Sequence, residues 1–379
     1  MIRLALAIEL AAIVLGSLAY CVLTLIAARR YLAVPRRRLV EIAPISILKP
    51  LAGLDDGLEE NLRSFFEQDY PQFEILFAVR SETDPAGETV ERLRAAYPNV
   101  PSRLIVTGEP PYPNAKVFSL DRMMAEARHD LLVMSDSDIR VTPDILRRVA
   151  AEFQDNDTDL ATCPYRAVPG AGFWSKLEAI GMNTEFLGGV LVARLTEGMK
   201  FAVGPTIVAR RRVLEAIGGF DRLKDYLAED FVMGQFADKA GFGVILSSCV
   251  VEHRIGSQPF RANMAHRLRW ARSTRRSRPR GYLGQLFTNP LPLALLLLAV
   301  APGFWSLAAA AVALRALAAW AVAGWVLQDP LTARQWWLVP LQDAISFVFW
   351  IAGFFGNTIT WRGRRYYLRP DGRFELLES

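Results

Sequence analysis

Residues 4–28 are almost wholly apolar, broken only by Glu9. A run of that length suits one helical crossing of a bilayer, the only simple way to satisfy its backbone in lipid. Ala27-Ala28 would tolerate signal cleavage, but the apolar run is too long for a signal core, so a retained anchor is expected. Arg29, Arg30, Arg36, Arg37 and Arg38 follow at once. By the positive-inside rule they place the downstream chain on the cytoplasmic side. A second apolar block, 291–327, is too long for one span and barely long enough for two. Arg315 inside it either marks the break or faces the protein interior. A third stretch, 336–360, carries Asp343 near its start. Trp305, Trp320, Trp325, Trp336, Trp337, Trp350 and Trp361 suit interfacial belts, which favours spans over a buried bundle. Two or three C-terminal spans are expected. The basic tail at Arg362, Arg364, Arg365 and Arg369 favours a cytoplasmic end and an even count.

The chain is 52% hydrophobic over 379 residues, and the excess lies at its two ends. Net charge is +5, concentrated where seven arginines and no acid fall between positions 267 and 280. Next to a span, such a cluster predicts attraction to anionic lipid headgroups. Nucleic acid is not an expected partner, because the segment is tied to a membrane. Cys21, Cys163 and Cys249 make no disulfide framework and fit a reducing compartment. The three histidines show no zinc spacing.

Between 44 and 250, strand and helix signals alternate. Strands are predicted over 45–51, 73–79, 103–107 and 131–134, and helices over 56–68, 86–97 and 117–128. Thr142-Pro143-Asp144 predicts a helix through Phe153, with Thr142 as cap and proline at the first helical position. This βαβα order predicts an α/β fold with a doubly wound, mainly parallel sheet. No Gly-x-Gly-x-x-Gly follows the first strand and no Walker A loop is present, so dinucleotide and P-loop folds are unsupported.

Candidate chemistry lies at strand ends. Lys49 and Pro50 end the first strand, Asp84 follows the second, and Lys116 opens a helix after the Pro110–Pro113 loop. The buried strand at 131–134 runs into Ser135-Asp136-Ser137-Asp138. Open α/β sheets bind ligands beyond the carboxyl ends of their strands. Two carboxylates there suit a divalent cation, Mg2+ or Mn2+, that keeps its other positions for substrate phosphates. Alone, the pair reads equally well as a solvated turn, Asp84-Pro85 as a common turn, and Asp230 as a helix cap. Their convergence on one sheet edge favours a site. His266-x-x-Arg269-Trp270 follows. Arg269 could clamp a diphosphate and Trp270 wall a site. The rival reading is an interfacial amphipathic helix, and Arg267, Arg272, Arg275 and Arg276 are expected to snorkel to lipid.

Taken in order, these residues resemble the membrane glycosyltransferases of GT-A type. More narrowly, the chain resembles ceramide glucosyltransferases and their bacterial hopanoid-associated relatives. The resemblance covers nearly all of 44–370. It is carried by Ser46-Ile47-Leu48-Lys49-Pro50-Leu51, Phe65-Phe66-Glu67-Gln68-Asp69-Tyr70-Pro71, Thr83-Asp84-Pro85-Ala86, Ser135-Asp136-Ser137-Asp138-Ile139-Arg140-Val141, Ala228-Glu229-Asp230 and the tail from Trp361 to Arg369. It implies that Asp84 contacts uridine, Asp136 binds metal and diphosphate, and Asp230 is the general base, with Arg269 and Trp270 forming the Arg-Trp box. Two positions depart from the pattern. His266 stands where Gln or Arg is usual, and Asp138 replaces the glycine of the animal enzymes, completing an Asp-x-Asp.

The implied activity is inverting transfer of one sugar, glucose or N-acetylglucosamine, from a UDP-sugar to a lipid hydroxyl. A hopanoid or a ceramide is the implied acceptor, in a bacterial inner membrane with the catalytic domain cytoplasmic. Donor contacts are expected at Lys49, Pro50, Asp84, Lys116, Asp136, Arg269 and Trp270, and metal contacts at Asp136 and Asp138. The expected division is an anchor over 1–30, a catalytic domain over 40–255, and basic interfacial helices over 256–288. Transmembrane segments over 289–361 and a basic tail over 362–379 complete it. A processive polysaccharide synthase and a polyprenyl-phosphate sugar transferase are the competing enzymes. A lipid-binding scaffold is the non-enzymatic alternative.

Overall fold

The computed structural model describes residues 1–155, 157–361 and 364–377; Arg362 of the basic tail lies outside them. The chain forms strands β1 (Ile45–Pro50), β2 (Phe73–Val79), β3 (Ser102–Val106), β4 (Leu131–Ser135), β5 (Ile139–Arg140), β6 (Leu160–Thr162), β7 (Tyr165–Pro169), β8 (Thr206–Arg210), β9 (Val244–Leu246) and β10 (Val251–Gly256). Seven of them make one sheet in the order β3-β2-β1-β4-β8-β6-β9. Pairs β1–β2, β1–β4, β2–β3 and β6–β9 are parallel, and only β8 runs antiparallel to its neighbours. The expected mainly parallel α/β sheet is therefore present. Its central strands are buried on both faces, as β1 and β4 show along nearly their whole lengths. Alternate side chains feed two cores. Ile45, Ile47 and Val133 join one, while Leu48, Leu132 and Met134 join the other.

Helices over Leu58–Phe66, Pro85–Ala96 and Ala115–Glu126 fall close to the expected positions. The fourth differs in its start. It runs Ile145–Glu152 after Asp144, so Pro143 precedes the helix, and Thr142 is no cap: its hydroxyl donates to Asp144 Oδ1 at 2.5 Å instead. The local Thr–Asp bond competes with capping geometry. A smaller sheet, β5-β10-β7, flanks the end of β4.

The helices Ile2–Leu32 and Pro302–Val326 are long and apolar enough to cross a membrane. A third, bent element pairs Pro279–Thr288 with Pro290–Val300 at 61°. The stretch 336–360 departs from a full span. Its helix covers only Trp336–Ala352, and Thr358–Trp361 is a strand (β11) paired with β12 (Arg364–Leu368), which also pairs with β13 (Phe374–Leu376). Arg315 marks no break. It lies mid-helix and buried, with Nε and Nη2 each 2.7 Å from Asp343. Such a pair satisfies the interior alternative for Arg315.

The basic helix Phe260–Ser277 corrects a further expectation. Arg272 and Arg275 donate to backbone carbonyls of Phe354, Phe355, Gly356 and Thr358, and Arg275 and Arg276 both reach Asn357 Oδ1. Arg267 bonds Asn263 and Gln342. Arg272, Arg275 and Arg276 therefore hold the 354–358 segment that follows the 339–352 helix, and Arg267 holds Gln342 near that helix's start, rather than snorkel to lipid.

Candidate active site

The carboxyl ends of β1, β2 and β4 open into a cavity of about 2240 Å³ that continues between the apolar helices. Pro50, Asp84, Lys116, Asp136, Asp138, Asp230, Arg269 and Trp270 all line it. Residues separated by up to 220 positions thus meet at one sheet edge: parallel β1, β2 and β4 put their following loops on the same side, and the helices Glu229–Lys239 and Phe260–Ser277 bring Asp230, Arg269 and Trp270 to it.

Lys49 is the exception. The sequence places it at the donor, but its side chain is fully buried. Its Nζ donates to the Asp136 backbone oxygen at 2.5 Å and lies 4.0 Å from the Phe65 ring centre. Burial pushes its pKa down to about 7, against the pull of Asp136 and Asp138. Lys49 holds the Asp-x-Asp turn from below. The turn is fixed elsewhere by the Asp136 amide donating to Pro205 O at 2.8 Å and the Ser137 hydroxyl to Asp55 at 2.5 Å.

Lys116, at the start of its helix, bridges Asp136 Oδ1 at 2.7 Å and Glu229 at 3.1 Å. Burial opposes its charge, but Asp136 and Glu229 outweigh that and hold the ammonium well above the usual lysine range. Asp84 caps the helix Pro85–Ala96, accepting from the Ala86 amide at 3.0 Å, and also receives the Gly53 amide at 3.0 Å. It therefore serves as a turn and as part of the cavity wall together.

Sequence reasoning missed His253. On β10, it sits beside Ile139 in the pairing with β5, and its Nε2 is 3.0 Å from Asp138 Oδ2. Burial works against its protonation, but Asp138 outweighs burial and raises its pKa. In turn burial would raise Asp138, and His253 and Lys49 bring it below the ordinary aspartate value. No spacing signal could have found this histidine, since the contact spans 115 residues and depends on a two-residue strand pairing.

A metal fits this turn. Asp138 Oδ1 is buried without a hydrogen-bond partner, a cost that a cation would remove. Among the described residues no group of three or more His, Cys, Asp or Glu stands ready to cage a metal. The two carboxylates instead suit a hard cation completed by substrate phosphates.

Asp230 opens the helix Glu229–Lys239. Its oxygens accept from the Gly204 amide at 2.6 Å and its neighbour's amide, Phe231, at 2.7 Å. Burial, with Glu229 beside it, pushes its pKa up to about 6. Such a carboxyl is poised to take a proton near neutral pH. Gly234 on the same helix lies so close to Phe201 and Ala202 backbone that any Cβ would clash, which fixes the helix against that wall.

Trp270 packs on Phe186 and on His266 at centroid distances of 5.9 and 5.2 Å. His266 Nδ1 is 2.6 Å from Glu178, a buried carboxylate that also receives the Asn263 amide. Burial alone would raise Glu178, and the His266 bond brings it below the usual glutamate value. Glu178 thus fixes the histidine that departs from the expected pattern, and that histidine packs directly on the box tryptophan.

The sequence model of glycosyl transferase family 21 matches residues 9–374. Over 209 residues the chain is 30% identical to ceramide glucosyltransferase 1 of Caenorhabditis elegans, covering 54% of this chain and 44% of that protein. It is 35% identical over 112 residues to the ceramide glucosyltransferase of Komagataella phaffii, covering 28% and 22% of the two chains. The chain thus spans less than half the length of these curated relatives. Among solved structures, a mannosyltransferase from Pyrobaculum calidifontis in complex with GDP-Man and Mn2+ shares the fold, with a TM-score of 0.56 and 20% identity over 94% of this chain and 99% of that one. With a GT-A-like sheet, apolar helices at both ends and a family match over almost its whole length, this chain belongs to glycosyl transferase family 21.

Proposed function

We propose that the chain is a membrane-bound hexosyltransferase that moves one sugar from a UDP-sugar to a lipid hydroxyl with inversion. The observation that carries this reading is a single cavity lined by Asp136, Asp138, Lys116, Asp230 and the Arg269-Trp270 box, running on between the apolar helices. Asp136 and Asp138 would hold a divalent cation, Mg2+ or Mn2+. When bound, that cation supplies neutralisation of charge growing on the leaving diphosphate. Lys116 and Arg269 add positive charge for the same phosphates. Asp84 and Pro50 wall the nucleoside end.

Asp230 is the general base. A lipid hydroxyl is a weak nucleophile, and Asp230 takes its proton as the oxygen attacks the anomeric carbon. Attack from the side opposite the diphosphate inverts the centre, so an α-linked donor gives a β-glycoside. No protein nucleophile is required. The acceptor enters from the bilayer, which fits the cytoplasmic catalytic domain (40–255) set between the anchor (1–30), the interfacial segment (256–288) and the C-terminal helices (289–361). The relatives named ceramide glucosyltransferases support a glycolipid product. The Ser135–Asp138 turn and the stretch Gly256-Ser257-Gln258-Pro259-Phe260-Arg261 favour a hopanoid acceptor, with glucose or N-acetylglucosamine as the sugar.

Mass spectrometry of lipids from cells with and without the gene tests this. A gene-dependent glycosylated hopanoid is expected. A new hexosylceramide would replace the acceptor assignment, and an unchanged lipid profile with active protein present would sink the whole reading.

A further inference from the structure

Two backbone bonds tie the metal turn and the general base to one short loop. Between β6 and β8, the Gly204 amide donates to Asp230 Oδ2 at 2.6 Å, and the Pro205 oxygen accepts from the Asp136 amide at 2.8 Å. Asp136 and Asp230 are far apart in the sequence, yet consecutive residues hold them. The loop is pinned at both ends. Thr162 Oγ1 donates to the Val203 oxygen at 2.5 Å and accepts from the Val203 amide at 3.0 Å. Thr206 Oγ1 lies 3.0 Å from Ser135 Oγ, just before the turn. The middle of the loop is set by packing. Gly204 has a φ of +80°, and a Cβ there would come within 2.8 Å of the Tyr165 ring. That ring therefore presses on the backbone between the two bonds.

Tyr165 opens β7 and is 4% exposed at the cavity wall. Strand β7 pairs with β10, placing Tyr165 opposite Val251 and Ala167 opposite His253. Strand alternation then puts Tyr165 and His253 on one face. Their rings meet edge to face, with centroids 5.3 Å apart and planes at 88°. His253 in turn lies 3.0 Å from Asp138 Oδ2. Tyr165 also stacks on Phe186 at 5.5 Å, the ring on which Trp270 packs. One side chain thus touches the support of Asp138, the support of Asp230 and the support of the box tryptophan. All three are contacts of the ring, and the hydroxyl enters none of them.

We infer that Tyr165 is a positioning residue for sugar transfer: its ring seats the Gly204-Pro205 turn and His253 together, and so fixes how far Asp230 stands from the Asp-x-Asp turn. This rests on the reading of the chain as a UDP-sugar-dependent transferase and adds the residue that keeps the two ends of that site in step. The base must meet the acceptor hydroxyl on one side of the anomeric carbon while the diphosphate leaves from the other. The separation of base and metal turn therefore has one productive value, and a shift of about 1 Å in such an arrangement costs about a hundredfold in rate. A flat ring of fixed width sets that value. A smaller aliphatic side chain lets the loop and His253 settle into the space it leaves.

The test uses the full chain in nanodiscs and takes two readings. One is UDP release from UDP-glucose or UDP-N-acetylglucosamine with Mn2+ and a lipid extract. The other is Mn2+ binding in the presence of UDP, read by electron paramagnetic resonance, which needs no turnover. Tyr165→Phe keeps the ring and should stay within about twofold of wild type in both. Tyr165→Leu should lower kcat about tenfold to a hundredfold. It should also weaken Mn2+ binding about tenfold, as loss of an outer support of a metal ligand does. Val149→Ala empties space in the same core but outside the cavity lining, and should change neither reading. In an Asp230→Asn background, Tyr165→Leu should cost less than about threefold in kcat, since the separation it sets has lost its base. Gly204→Ala pushes on the same contact from the loop side and should repeat the leucine signature, which keeps the test open if the leucine variant does not fold. Equal losses in Tyr165→Phe and Tyr165→Leu overturn the inference in favour of the hydroxyl. An equal fold-loss from Tyr165→Leu with and without Asp230 overturns it, as does Mn2+ binding unchanged from wild type in Tyr165→Leu. Wild type without lipid-dependent UDP release overturns the transferase reading, and Mn2+ binding then decides alone whether Tyr165 holds the turn.

Discussion

Two sets of buried charges in this molecule are built on opposite terms. Within the apolar helices, Arg315 and Asp343 are 4% and 0% exposed and answer each other through two 2.7 Å bonds. At the end of β4, Asp138 keeps a buried oxygen without a partner, Lys116 is shared between two carboxylates, and Asp230 has its pKa lifted to about 6. A charge pair that is complete in itself holds helices in register. A set of charges left incomplete within a cavity waits for a ligand to complete it. The contrast separates structural from chemical roles without any appeal to position in the sequence.

The largest effect should come from breaking the incomplete set. Asp136→Ala and Asp138→Ala together, or removal of divalent cations by a chelator, should lower kcat by roughly a thousandfold or more, since several kcal/mol of charge stabilisation is lost. Turnover that persists with its metal dependence unchanged would mean the metal is held elsewhere. Next, Asp230→Asn should lower kcat by roughly 10²–10⁴ while UDP-sugar binding stays near wild type by calorimetry. The same group sets the pH profile. Base catalysis needs the carboxylate, and burial with Glu229 raises its pKa to about 6 against the pull of Lys116. Activity should therefore be full above that pH and fall as pH drops through it, and the Asn variant should lose that limb.

The complete pair should behave differently. Asp343→Ala strands a buried guanidinium and should cost about 3–5 kcal/mol of stability, while the folded fraction keeps its kcat. Replacing both partners, Arg315→Met with Asp343→Leu, should recover most of that loss in thermal unfolding. If the double variant stays as unstable as the single one, the pair does more than satisfy itself. The smallest effect is expected at the exposed Arg94–Glu91 pair, where Arg94→Ala should change stability by less than about 1 kcal/mol and leave turnover alone.

Much of this organisation is legible in the amino-acid sequence. The βαβα order follows from apolar runs of strand length separated by amphipathic segments, and Phe73–Val79 falls where the pattern puts it. The N-terminal apolar helix follows from length alone. Asp136 and Asp138 stand out because strand ends in parallel sheets converge, and Asp230 because it lies in the first turn of a helix. What the sequence hides is partnership across distance. Lys49 reads as a donor contact because it ends a strand, yet the alternation of β1 turns it beneath the Asp-x-Asp turn. His253 shows no spacing to Asp138, and only the pairing of β10 with β5 brings them together. The arginines of 260–277 read as free for lipid because their acceptors are backbone carbonyls and neutral amide side chains, mostly some 75 to 86 residues away, which carry no charge signal in the sequence. Arg315 and Asp343 each stand out in an apolar stretch, but their pairing depends on how two apolar helices cross.

Sugar transfer to a membrane lipid at the incomplete charges beyond β4 is read by UDP release from a UDP-sugar by the purified full chain, with a divalent cation and a lipid extract, comparing wild type with Asp230→Asn. Wild type is expected to show cation-dependent and lipid-dependent release, and the variant at least roughly a hundredfold loss. Equal rates in the two proteins, or no lipid-dependent release by folded wild type, would contradict it.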